Sequence, residues 1–136
     1  MASKPLAGVK VLDFSQLLPG PMCTLHLADM GADVIKIEPP GGEAARGPAG
    51  TPVSHFFLAV NRNKRSLAIN LRAPGACEII HALAKDADIV VEGFRPGVMA
   101  RLGIGYEDLK AINPKLVYCA ISGYGQDGPL AELGGH

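Results

Sequence analysis

Short, mainly apolar runs alternate with amphipathic stretches along this chain, and that alternation limits the fold more than any other feature. Strands covered by helices on both faces of a parallel sheet read as such runs. Residues 9–14, 33–38, 66–71, 87–92 and 116–122 fit this description and are expected to be strands. After the first of them, Leu25, Leu27, Ala28 and Met30 recur at near-helical spacing up to Gly31, a good helix terminator. Residues 73–85 form a second amphipathic helix, with Ile79, Ile80 and Leu83 on one face and Pro74 in the first turn. Shorter helical segments fit residues 55–60, 98–102 and 106–112, the last stopped by Asn113-Pro114. Residues 39–52 are rich in Gly and Pro and read as a long loop, a feature usually tied to function in compact domains. The order β-α-β-loop-β-α-β-α-β, joined by right-handed crossovers, predicts an α/β fold with a mostly parallel, doubly wound open sheet and flanking helices. Ligand-binding groups then belong at the carboxyl ends of the strands.

At 136 residues the chain has the size of one domain, or part of one. Thirteen basic and thirteen acidic side chains give a formal net charge of zero, so no global field draws it to nucleic acid or to an anionic membrane. Any anion site must be local. No apolar run approaches the length of a bilayer span, and the first eight residues lack the layout of a secretory signal, so a cytosolic (cytoplasmic) location is expected. Cys23, Cys77 and Cys119 are far apart and form no Cys-x-x-Cys pair, which suggests neither a zinc site nor a disulfide framework, and no metal is expected. Cys23 follows Gly20-Pro21-Met22 near a helix start, where a dipole could favour a thiolate; the plainer reading is a small side chain packed under the helix.

Three candidate sites lie at strand ends. The turn 15–21 after the first strand contains one glycine, not the Gly-x-Gly-x-x-Gly that lets backbone approach a pyrophosphate, so a nicotinamide-dependent dehydrogenase is disfavoured. Glu38 nevertheless stands where a ribose-binding acid would. The run Asn61-Arg62-Asn63-Lys64-Arg65 could bind a phosphate by charge-assisted hydrogen bonds, or be a solvated connection. Arg72 and Arg95 follow the third and fourth strands, and Arg101 lies one short turn beyond. Several cations on one sheet edge of a neutral protein suggest a polyanionic small molecule.

Seven segments in register resemble the family III CoA transferases, a family that includes formyl-CoA transferase, carnitine CoA-transferase and α-methylacyl-CoA racemase. They are Gly8-Val9-Lys10-Val11-Leu12-Asp13-Phe14, Gly20-Pro21 with the stretch from Leu27 to Glu38, Asn61 to Ser66, Glu92-Gly93-Phe94-Arg95-Pro96-Gly97, Leu102-Gly103-Ile104-Gly105-Tyr106, Asn113-Pro114, and Ser122-Gly123-Tyr124-Gly125-Gln126. The resemblance runs from Leu6 to His136. It implies a Rossmann-like large domain, of which residues 1–136 are the N-terminal part; the small domain and the returning C-terminal segment are absent, because family members are much longer. Full-length members form dimers whose subunits interlock as linked rings.

The resemblance also implies coenzyme A as the bound group, carried in as an acyl-CoA, with a carboxylic acid as acceptor. Leu17 and Leu18 would lie beside the CoA, Ile69, Asn70, Leu71 and Arg72 would contact its adenosine end, and Gly93, Phe94, Arg95 and Arg101 would line its nucleotide and phosphate path. Arg72 and Arg101 are conservative matches, whereas Leu18 departs from the polar residue expected in the transferase branch. In that branch an aspartate attacks the thioester and passes through aspartyl anhydride and aspartyl-CoA intermediates; it is expected beyond residue 136. In the racemase branch two bases flank the α-carbon of a 2-methylacyl-CoA, one of them the histidine of a Gly-His-Asp motif. Gly135-His136 matches its first two positions, which makes His136 the candidate catalytic base. A third alternative is a fragment that folds, or binds CoA, without turnover.

Overall fold

The computed structural model describes residues 4–48 and 50–134. The elements are β1 (Lys10–Asp13), α1 (Pro19–Asp29), β2 (Asp33–Glu38), α2 (His55–Asn61), β3 (Lys64–Ala68), α3 (Ala76–Ala84), β4 (Ile89–Glu92), α4 (Val98–Arg101), α5 (Tyr106–Ile112) and β5 (Val117–Ala120). The strands form one sheet in the order β3-β2-β1-β4-β5, and every neighbouring pair is parallel. This is the expected doubly wound α/β architecture.

Alternation along each strand divides the core in two. Leu12, Phe14, Ile37 and Val90 face one side, where Ile80 and Ala84 of α3, Met99 of α4 and Leu109 of α5 cover them. Val11, Val34 and Val91 face the other, against Ala28 of α1 and Ala32. At roughly 2–3 kcal/mol for each fully buried large aliphatic or aromatic side chain, burial on both faces is what holds the sheet.

Several boundaries differ from the sequence expectation, and the starts of the third strand and of α3 show why. The third strand begins at Lys64, two residues before Ser66, because Val34 pairs with Lys64 and Ile35 with Arg65 in the ladder. The third large helix begins at Ala76, three residues later than expected, because its N-cap Gly75 has φ +82°. That conformation interrupts a helix and suits glycine. The loop 39–52 contains a 3₁₀ turn, Ala44–Arg46, and is tied to the sheet. Arg46 reaches both oxygens of Glu38, Nε to Oε2 at 2.7 Å and Nη2 to Oε1 at 2.6 Å, and its guanidinium lies 4.0 Å from the Phe57 ring centroid.

Candidate functional site

β1 and β4 are adjacent, and the chain leaves β1 toward β2 on one side and β4 toward β5 on the other. Phe14 N–H donates to Val91 O at 2.8 Å just past the β1 ladder. Beyond that bond the two chains part, and a cavity of about 730 Å³ opens between them. Its walls are residues 15–20 after β1, 93–96 after β4 and 121–123 after β5, closed by Leu133 and Gly134. Both its size and its place, at the switch point of a doubly wound sheet, are those of small-molecule sites.

The β1 wall is held under strain and close packing. Leu17 has φ +62°, a left-handed conformation that costs an L-residue about 1–2 kcal/mol. Strain of this kind persists where the surroundings impose it, and it gathers at functional sites. Gly20, in the first turn of α1, packs against Ser15 so closely that a Cβ on Gly20 would lie 2.1 Å from the Ser15 Cβ. The lone glycine of this turn therefore serves helix-to-strand packing and not phosphate approach.

Beneath the turn sits a buried polar cluster. Asp13 is fully buried and accepts from Ser15 N–H at 3.0 Å, from the Ser15 hydroxyl, from Thr24 Oγ1 at 2.6 Å and from Lys64 Nζ at 3.1 Å. Lys64 also donates to Pro21 O at 2.8 Å and to Asn61 Oδ1 at 2.9 Å. Burial pushes its ammonium below the usual lysine range, against the opposing pull of Asp13. On the other wall, the buried Glu92 carboxylate accepts Phe94 N–H at 2.8 Å, which sets the course of the loop 93–96; burial pushes this carboxyl up, and the Phe94 bond opposes it.

A second cavity, of about 580 Å³, lies behind that loop, with Glu92, Tyr118 and Tyr106 among its lining residues. The two tyrosine rings meet edge to face at 5.8 Å between centroids. Arg95 lines both cavities and has no acidic partner among the described residues, so its guanidinium is available to an anion.

Residues 6–136 match the profile of CoA-transferase family III. The chain belongs to that family. It is 47% identical to human succinyl-CoA:glutarate CoA-transferase, covering 98% of this chain and 31% of the relative. It is 48% identical to acetyl-CoA:oxalate CoA-transferase of Acetobacter aceti, covering 94% and 34%. Among solved structures, a CAIB/BAIF family protein from Brucella suis superposes with a TM-score of 0.93 at 42% identity, over 99% of this chain and 38% of that one. The chain thus spans about a third of the length of these relatives.

Of the residues that the family III resemblance singled out, Leu17, Leu18, Gly93, Phe94 and Arg95 line the switch-point cavity together. Ile69, Asn70, Leu71, Arg72 and Arg101 line neither cavity, and Arg72 and Arg101 are exposed. Because β3 ends at Ala68, Arg72 stands four residues past the strand and not directly after it. His136 lies outside the described residues.

The basic run offers no free cation for a phosphate: Arg62 and Arg65 are solvent-exposed, as in a solvated connection, while Lys64 is buried. Arg62 and Asn63 bind Asp29, Lys64 binds Asp13, and Arg65 binds Asp33 through two bonds of 2.9 and 2.5 Å. Each of its three cations is already paired, so the run closes the sheet edge and the end of α2 onto acidic partners. Glu38 is not available to a ribose either: it is 2% exposed and is taken up by Arg46, by Ser66 Oγ at 2.7 Å and by Glu43 N–H at 3.2 Å. The thiol of Cys23 is pushed up by burial and by the neighbouring Cys119 and Asp13, which leaves the packing reading in place.

Residues 121–123 were missed as a wall of the site. The signal was there, since Ser122-Gly123 follows directly on an apolar run and so lies at a strand's carboxyl end. Among the described residues no group of three His, Cys, Asp or Glu side chains could hold a metal ion, and no helix is long and apolar enough to cross a membrane.

Proposed function

We propose that this chain is the N-terminal part of the CoA-binding large domain of an enzyme that transfers CoA between carboxylic acids. The observation that carries this reading is the switch-point cavity, where the strained Leu17 turn, the Gly93-Phe94 backbone and the unpaired Arg95 face one space. An apolar floor with one free guanidinium suits an uncharged pantetheine arm leading to anionic phosphates. Arg101 and Arg72, both exposed, would extend the cation path toward the nucleotide end. The relatives named above, which act on succinyl-CoA with glutarate and on acetyl-CoA with oxalate, support acyl-CoA and a carboxylic acid as the substrate pair.

No carboxylate lines the cavity among the described residues. On this reading the aspartate that would attack the thioester and carry the aspartyl-CoA intermediate comes from other parts of a longer, cytosolic homodimer. What this chain's own residues do is bind and orient: Leu17 and Leu18 flank the arm, the Gly93 and Phe94 backbone guides it, and the arginines hold the phosphates. The names of the relatives favour transfer over α-carbon racemisation, for which the Gly135-His136 pair is the supporting feature.

Calorimetric titration with CoA tests the reading. CoA is expected to bind, with an affinity that falls as salt rises and falls again in Arg95→Ala and Arg101→Ala. An affinity unchanged in both variants would remove the phosphate path.

A further inference from the structure

Lys36 projects from β2 into the protein, and its side chain is 2% exposed. It donates to Ser15 O at 2.9 Å and lies 2.9 Å from a carboxylate oxygen of Glu43, whose side chain is 1% exposed. The Glu43 oxygens accept no hydrogen bond among the described residues, so the ammonium charge is the partner they have. A buried ion pair of this kind contributes little net stability, and an apolar pair of similar shape often does as well or better. Its position suggests what it does instead.

Ser15 is 1% exposed and lies past the last ladder residue of β1, at the point where β1 and β4 diverge. A carbonyl there has no neighbouring strand to donate to it, and a buried carbonyl without a donor is costly. Asp13 already holds the Ser15 N–H and hydroxyl. The Ser15 carbonyl belongs to the next peptide unit, and its orientation decides how the chain enters Gln16 and the left-handed Leu17. Lys36 fixes that plane from one side while Glu43 fixes Lys36 from the loop 39–52.

We propose that Lys36 is a positioning residue, whose ammonium ties the carbonyl of Ser15 to Glu43 and so couples the loop 39–52 to the left-handed turn that walls the switch-point cavity. The pair is retained for the geometry of that turn. Its consequence for CoA affinity rests on the function proposed above; its consequence for Leu17 does not.

The test uses the 136-residue chain with the double change Lys36→Met and Glu43→Met, which replaces the ion pair by apolar groups of similar length. Two quantities are read: the strong intraresidue HN–Hα NOE of Leu17, which a positive φ produces, and the dissociation constant for CoA. The expected result is a folded protein whose Leu17 NOE weakens and whose CoA dissociation constant rises roughly tenfold, the size of effect seen when partners behind a binding group are removed. Glu43→Gln keeps the shape and removes only the negative charge, and it should move both quantities the same way by less. A Leu17 NOE at wild-type strength in a folded variant of either kind overturns the proposal. Wild-type protein that does not bind CoA would refute the proposed function, while the NOE still decides the role of Lys36.

Discussion

Single side chains here carry structural strain and charge that can be tested one at a time. Leu17 is 40% exposed, so its side chain adds little packing, while its φ of +62° costs stability. Leu17→Gly should therefore raise stability by about 0.5–1 kcal/mol, the relief of a left-handed L-residue less the added freedom of glycine in the unfolded chain. Thermal melting of the two proteins measures it, and a lower midpoint for the variant would contradict the strain assigned to this turn. Glu38 gives a pH prediction. Burial pushes its carboxyl up, but the hydrogen bonds from Arg46, Ser66 and Glu43 N–H outweigh that and bring it from 4.5 down to about 2. A folded pKa below the unfolded one stabilises the protein above pH 4.5, and that contribution fades as pH falls toward 2. It is worth on the order of 3 kcal/mol at neutral pH. Arg46→Met should raise the Glu38 pKa and move the onset of acid unfolding to higher pH, as melting curves between acid and neutral pH would report.

At the scale of elements, α1 depends on contact between its first turn and the end of β1. Gly20→Ala places a Cβ 2.1 Å from the Ser15 Cβ, and neither atom is the far end of a flexible side chain. The backbone must move, at a cost of about 1–3 kcal/mol as in other overpacked sites. Because the same turn walls the cavity, loss of stability should be accompanied by weaker CoA binding, whereas a cavity mutation such as Ile80→Ala on the α3 face should cost about 2–5 kcal/mol and leave affinity in the folded protein unchanged. Denaturant unfolding together with calorimetry separates the two outcomes. Most elements were legible because helices cover the strands on both faces: β2 and α5 begin and end where the residue pattern places them. β3 was the exception. It is an edge strand, mostly exposed, and begins with Lys64 and Arg65, so it carries no apolar run at its start, and charge at a sheet edge reads as loop. The buried cluster was hidden for a different reason. Asp13 and Lys64 are 51 residues apart and Lys36 and Ser15 are 21 apart, and only the strand order brings each pair together.

For the whole molecule, a net charge of zero separates folding from binding. The ion pairs Arg62 with Asp29 and Arg65 with Asp33 are solvent-exposed, and pairs of that kind contribute at most about 1 kcal/mol each. With no global field to screen, raising the salt should shift the melting temperature little. Under the proposed function CoA binding should respond differently, because its phosphates would meet Arg95 at the cavity and not the molecule's average charge. A ligand that binds only the folded state at 100 times its dissociation constant adds about 2.7 kcal/mol of stability. CoA should therefore raise the melting temperature at low salt and lose much of that effect at high salt. NAD should raise it at neither, because the turn after β1 offers one glycine, and that glycine is already packed against Ser15. A thermal shift caused by NAD, or a CoA shift indifferent to salt, would count against a local phosphate site at the switch point. The four conditions belong in one experiment, since the unliganded melts at low and high salt supply the control that makes the liganded difference a statement about binding alone.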